Sequence, residues 1–218
     1  LKNLKLKRRL ITVLATLHFF GNPSKKLKIV GVTGTSGKTT TATLLYRIAM
    51  SLGYKAGLIS TVENIINGKV IATLDNRPIP GTTPDPITLH KLLNKMVAEG
   101  CEYAFMEVSS HSLDQKRVAG INFTGGIFTN LSQDHFDYHK NFENYFEAKK
   151  KFFKMLSPRA FALANIDDGY GLKMLEGIRA NQFSFGFNKS FDDVHFYGEI
   201  KKLDFNGLDL SFNKIAIK

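Results

Sequence analysis

From Thr33 to Thr40 the chain reads Thr-Gly-Thr-Ser-Gly-Lys-Thr-Thr, residue types that together can hold phosphate. Gly34 and Gly37 permit a tight turn whose backbone N–H groups aim at anionic oxygens. Lys38 supplies a point charge for the outer phosphates, and the Thr39 hydroxyl suits Mg²⁺. Thr35, Ser36 and Thr40 complete the stretch expected to contact the nucleotide. The pattern departs from G-x-x-x-x-G-K-[ST] in one place, where Val32 stands instead of the first glycine. Context decides the reading. The apolar run Ile29-Val30-Gly31-Val32 precedes the turn, and an amphipathic segment with Leu44, Leu45, Ile48, Ala49 and Leu52 follows it. Strand, turn and helix start thus come in the order that phosphate cradling requires, and a nucleoside triphosphate is expected to bind here.

Other residues stand where their neighbours give them no obvious structural reason to be. Glu107 is a carboxylate ending the apolar run Tyr103–Val108, a position from which it can serve Mg²⁺ beside a phosphate loop. Lys149 falls near the middle of a helical stripe made by Phe142, Tyr145, Phe146, Phe152, Phe153 and Leu156, whereas Lys151 points the other way. A lysine on a buried face must be paired, neutralised or chemically altered, unless it snorkels to the sheet edge. Asp134-His135-Phe136-Asp137-Tyr138-His139 carries metal-type donors at a strand end, though such loops are often merely polar. Ser110-His111 does not make a nucleophile pair, because adjacent side chains on an extended segment diverge and no nucleophile-elbow glycines are present. Cys101 reads as a small core residue.

These residues need elements to position them. Lys55–Val62 reads as a strand, and Asn67-Gly68 between apolar runs marks a hairpin over residues 65–71. Pro78–Pro86 is a stiff loop entering a helix with Leu89, Leu92, Leu93, Met96 and Val97 on one face, ended by Gly100. A strand to Val108, a short polar helical stretch containing Gln115 and Arg117, and a strand over 126–130 follow. Next come a helix over about 141–156, a strand over 160–165, a short helix over 169–179 and a strand over 182–187. Residues 195–217 alternate as further β-structure. This alternation predicts an α/β fold with a mostly parallel sheet flanked by helices, additional β-structure near the C-terminus and a binding crevice at the carboxyl ends of the strands.

With 218 residues, 43% hydrophobic and 22% charged, the chain can bury the core of one good-sized domain. The only cysteine is Cys101, which excludes a disulfide framework and points to a reducing, cytoplasmic setting. The net charge of +11 suits phosphate-rich partners. Its lysines are spread along the chain without a recognition module, which favours an anionic small substrate over nucleic acid. Basic Lys2, Lys5, Lys7, Arg8 and Arg9 before the apolar run Leu10–Leu17 mimic a signal peptide. No small-residue cleavage site follows, however, and the run is too short to span a bilayer, so a helix ending in a turn is expected and no membrane partner. The chain does not begin with Met and is expected to be a piece of something longer.

Taken together, several motifs resemble the Mur ligases of peptidoglycan synthesis. They are Thr33–Thr40, Thr82-Thr83-Pro84-Asp85, Met106–His111, Phe128–His135, Asp137-Tyr138-His139 and the Tyr145…Ala148-Lys149 helix. Within that family the Thr-Thr-Pro and Ser-Ser-His segments are similar to the members that add the third amino acid to UDP-N-acetylmuramoyl-L-alanyl-D-glutamate. Ser36 stands where the family usually has Asn, and it keeps the turn polar. The resemblance implies an ATP-dependent ligase that phosphorylates the terminal carboxylate and then joins it to an amino acid. By motif match it implies Thr39 and Glu107 on one Mg²⁺, His135 on a second, and Lys38, Glu107, His135 and Lys149 as catalytic, Lys149 in carbamylated form. Thr82, Thr83, Ser109, Gln115 and Arg117 would hold the UDP-muramoyl peptide. It implies further that residues 1–26 connect from a first domain, that 27–218 form a central ATP-binding domain incomplete at its end, that the protein is a monomer, and that this chain alone is inactive. The competing expectations are a folylpolyglutamate- or cyanophycin-type ligase, a non-catalytic nucleotide-binding module and, on charge alone, a nucleic-acid binder.

Overall fold

Strand β1, Lys28–Thr33, is apolar on both faces because helices cover both sides of the sheet it lies in. The computed structural model describes residues 19, 21–74, 77–79, 81–132, 139–187, 194–204 and 207–214. A short 3₁₀ turn, Pro23–Lys26, leads into β1. Helix α1, Lys38–Ser51, follows the phosphate-type loop, and β2, Ala56–Ile59, comes next. β3, Asn64–Ile66, and β4, Lys69–Val70, form the expected hairpin. Its two turn residues, Asn67 and Gly68, both have positive φ, as a two-residue turn of this kind demands.

Short strands β5 (Thr73–Leu74) and β6 (Arg77–Pro78) pair apart from the main sheet. Helix α2, Pro86–Ala98, begins at Asp85, whose side chain accepts from the N–H groups of Ile87 and Thr88. The rest of the order is β7 (Tyr103–Glu107), α3 (Ser110–Asp114), β8 (Phe123–Phe128), α4 (Phe142–Met155), β9 (Phe161–Asn165), α5 (Gly171–Leu175), β10 (Asn181–Gly186), β11 (Phe196–Asp204) and β12 (Gly207–Lys214).

The main sheet has ten strands in the order β12-β11-β10-β9-β8-β1-β7-β2-β3-β4. The strands from β11 to β2 are parallel, while β12 and the β3–β4 hairpin add antiparallel edges. The α/β expectation, with extra β-structure at the C-terminal end, holds. Connections from β1 and from its neighbour β8 run to opposite sides of the sheet, so the crevice expected in such a fold opens between their carboxyl ends.

One core layer joins α1, through Ala42, Tyr46 and Ala49, to Val30, Val32, Leu58 and Phe105. The other joins α2 and α4, through Leu89, Leu92, Tyr145, Phe152 and Phe153, to Ile29, Met106 and Phe128. The Phe152 ring lies on Gly31 and Gly126, where a Cβ would collide with it. The absence of side chains at these two strand positions is what lets α4 sit close to the sheet.

Several boundaries differ from the sequence reading. The inward face of α1 is Ala42–Tyr46–Ala49, whereas Leu44, Ile48 and Leu52 are more than half exposed. Two alanines let the helix approach the sheet more closely than leucines would, so the bulkier stripe is the one left outside. Helix α3 ends at Asp114, so Gln115 is its C-cap and Arg117 lies in the following turn. β8 begins at Phe123, three residues early, and the helix expected over 169–179 is confined to Gly171–Leu175. The helix expected over residues 10–20 falls almost wholly outside the described residues.

Candidate functional site

The phosphate-type loop is built by β1 and held by the segment after β8. Gly34 has φ 153° and Gly37, the N-cap of α1, has φ 80°, conformations that a side chain resists. At Gly34 a Cβ would also strike the Thr129 hydroxyl. Thr129 donates to Ser36 O (2.7 Å), and the Asn130 amide brackets Ser36 by accepting from its N–H (2.9 Å) and donating to its carbonyl (3.1 Å). Thr35 N–H donates to Asn130 O (2.9 Å). No side chain caps α1, so its N-terminal dipole faces the loop and favours an anion there. Lys38 Nζ turns inward onto Gly34 O (3.0 Å) and Thr35 O (2.8 Å). Thr40 is exposed on the first turn of α1.

Glu107 ends β7, adjacent and parallel to β1, and is 1% exposed. It is not a solvated strand-end acid. Its carboxylate accepts from Thr39 Oγ1 (2.9 Å), from Thr61 N–H (2.7 Å) and from the Thr61 hydroxyl (3.1 Å). A carboxylate meeting a hydroxyl beside a phosphate cradle is the oxygen-donor set Mg²⁺ takes when phosphates and water fill its other positions. Among the described residues no three His, Cys, Asp or Glu gather. Thr61 was not singled out from sequence. It lies just past β2, the strand next to β7, and only the strand order brings it to Glu107.

On the far side of Glu107 is a polar wall. The Thr83 hydroxyl donates to Glu107 O (2.9 Å) and accepts from Ser109 N–H (3.2 Å), tying the loop before α2 to the end of β7. Thr61 Oγ1 reaches Thr82 Oγ1 at 3.0 Å. Ser109 caps α3 by accepting from Ser112 N–H. Arg117 donates through Nη1 to Thr83 O (2.8 Å) and through Nε and Nη2 to Gln115 Oε1 (3.0 and 2.8 Å). The five residues Thr82, Thr83, Ser109, Gln115 and Arg117 therefore come together, although they derive from three separate segments.

Helix α4 closes the site. Lys149 is 1% exposed, donates to Gly34 O at 2.6 Å and stands 4.5 Å above the Tyr145 ring. The Tyr145 hydroxyl is 3.2 Å from Thr35 Oγ1. Lys151 points outward to Asp114 at 3.5 Å, as helical phase requires. Tyr145, read from sequence as core, is thus also a contact of the loop. Buried His139 places Nε2 3.0 Å from Ser110 Oγ, pinning the N-terminus of α4 to the start of α3. Ser110 therefore partners His139 rather than its neighbour His111. A cavity of about 230 Å³ lies between Lys38 and Lys149 on one side and Thr83, Ser109 and Arg117 on the other. His135 lies outside the described residues, as do Asp134 and Asp137.

The family model described as the Mur ligase middle domain matches residues 32–216. Among curated relatives, the UDP-N-acetylmuramoyl-L-alanyl-D-glutamate–2,6-diaminopimelate ligase of Parabacteroides distasonis is 53% identical over 196 residues, covering 90% of this chain and 38% of the relative. The ligase of the same name from Bacteroides fragilis is 51% identical over 199 residues, with 91% and 39% covered. The chain therefore spans about two fifths of the length of these relatives. A solved structure of a ligase with that name superposes with a TM-score of 0.71 at 28% identity, over 86% of this chain and 37% of its own. A Mycobacterium tuberculosis folylpolyglutamate synthase, solved with ADP and AMPPCP, shares the fold at TM-score 0.69 and 16% identity, over 93% of this chain and 51% of its own. No helix among the described residues is long and apolar enough to cross a membrane.

Proposed function

The chain belongs to the Mur ligase family, as its middle domain, and from that premise we propose that it is the ATP-binding part of an amide-forming ligase of peptidoglycan precursor synthesis. The carrying observation is that Lys38 and buried Lys149 line one cavity with Thr83, while the Thr39–Glu107 pair stands beside it, tied to Thr83 through the Glu107 carbonyl. The substrate we assign is UDP-N-acetylmuramoyl-L-alanyl-D-glutamate. Diaminopimelate is the third residue added, on the strength of relatives about half identical. The protein is read as cytoplasmic, monomeric and independent of nucleic acid.

In this reading the D-glutamate carboxylate attacks the γ-phosphorus of ATP, and the bond to the ADP oxygen breaks. The amine of the incoming amino acid then attacks the acyl phosphate carbonyl, loses a proton and expels inorganic phosphate. Lys38 leaves the carbonyls of its own loop for the transferred phosphoryl group, whose charge it stabilises together with the loop N–H groups. Thr39 and Glu107 would hold one Mg²⁺ and His135 a second; the metal supplies neutralisation of phosphate charge. Lys149, once it has given up its ammonium proton, could add CO₂ and release a second proton to solvent, and the resulting carbamate would be an anion suited to orient the metal. Thr82, Thr83, Ser109, Gln115 and Arg117 bind the muramoyl peptide, with the Arg117 fork meeting an anionic group.

The test uses the full-length protein. ADP and phosphate formation should require both the UDP-muramoyl dipeptide and the amino acid. Lys149→Ala should abolish it and a short-chain carboxylic acid should restore it. Turnover with a folate substrate in place of the dipeptide, or no phosphoryl transfer at all, would contradict the reading.

A further inference from the structure

A second cavity, of about 730 Å³, lies at the amino ends of the strands. Asn22 and Lys25 enter it just before β1, Ile121 and Asn122 just before β8, Met155 from the end of α4 and Arg179 just before β10. Leu113, Val118 and Ile121, all buried in the core, give it an apolar floor together with Met155. Around that floor stand Lys25, Lys116, Lys151, Lys154 and Arg179, and no carboxylate is among the described residues lining it. Lys151 and Lys154 reach Asp114 (3.5 Å) and Glu147 (3.0 Å) outside the lining. Both pairs are about half exposed, so they hold these lysines only weakly.

Lys116 is the informative member. Its N–H donates to Leu113 O, and that of Arg117 donates to Ser112 O, the paired bonds that close a helix through a left-handed residue, normally glycine. Lys116 adopts φ 56° there, a conformation that disfavours a side chain. Lysine therefore stands where glycine would be the more stable choice, and it adds charge to a wall already cationic.

Like charges around an apolar hollow repel one another when it is empty, and the volume is that of a small-molecule site. We propose that this cavity binds an amphiphilic anion, a small molecule with an apolar body carrying phosphate or carboxylate. The proposal does not depend on the ligase reading, although the turn bearing Lys116 also carries Arg117, which lines the nucleotide-side cavity.

Octyl phosphate is the probe, titrated calorimetrically below its micellar concentration into this chain. One molecule should bind per chain, with inorganic phosphate and octyl glucoside each binding at least about tenfold more weakly. The Lys116→Gly/Arg179→Ala variant should lose at least about tenfold in affinity, while Lys116→Gly alone raises the melting temperature and shows the fold intact. Lys38→Ala should leave the affinity unchanged. No binding, equal binding by the double variant, loss of binding on Lys38→Ala, or several molecules per chain would each overturn the proposal.

Discussion

At the scale of single residues, the site depends on groups that only one conformation or one neighbour satisfies. Gly34 is the tightest case, since its Cβ position is filled by the Thr129 hydroxyl. Gly34→Ala should cost about 1–3 kcal/mol of stability and abolish nucleotide binding, read by denaturant melts and by calorimetry. The depth of Lys149 was legible in sequence because helical phase alone puts it among aromatics. The roles of Thr61, Thr129 and Asn130 were not, because each acts on a residue dozens of positions away that the strand order brings near. His90 offers a separate test. It is fully buried, its Nδ1 lies 2.9 Å from Pro86 O, and its Nε2 has no partner among the described residues. Burial pushes its pKa down from 6.5. Below that value the unfolded chain takes up a proton that the folded chain refuses, so stability is lost as pH falls through about 6.5, by up to about 1.4 kcal/mol per pH unit. Replacing it by leucine should flatten the fall in melting temperature between pH 7.5 and 5.5 relative to the parent; an unchanged fall would assign the pH dependence to other groups.

At the scale of elements, the local signals were mostly readable. Pro86 and Asp85 announce the start of α2, Asn-Gly announces the β3–β4 turn, and the aromatic stripe announces α4. The inward face of α1 was misread, because leucine count predicts burial only when the gap to the sheet is wide enough for leucine. Asp85 links an ordinary helix cap to function, since it fixes where Thr82 and Thr83 leave the loop. Asp85→Ala should cost about 1 kcal/mol and weaken binding of the muramoyl peptide to the full-length protein with little effect on ATP. Equal loss of both ligands would instead indicate general unfolding of the loop. Phe152→Ala removes the ring that seats α4 on Gly31 and Gly126 and should cost about 3–5 kcal/mol, read by urea titration.

At the scale of the whole molecule, one mostly parallel sheet positions the site by opening a crevice where connections diverge between β1 and β8. Order along the sheet turns four distant segments into one cavity wall, and that order was not written in any single stretch of sequence. A chain that spans two fifths of its relatives is expected to bind nucleotide without completing ligation. Adding the dipeptide and diaminopimelate to it should therefore yield no amide product by mass spectrometry. In the proposed function, β1, β7 and α1 form a Mg²⁺–triphosphate site around Lys38, Thr39 and Glu107. Calorimetric titration of this chain with ATP, with and without Mg²⁺ and again for Glu107→Gln, tests it most directly. Saturable 1:1 binding should weaken at least about tenfold when either Mg²⁺ or the carboxylate is removed; binding indifferent to both, or none, would overturn the assignment.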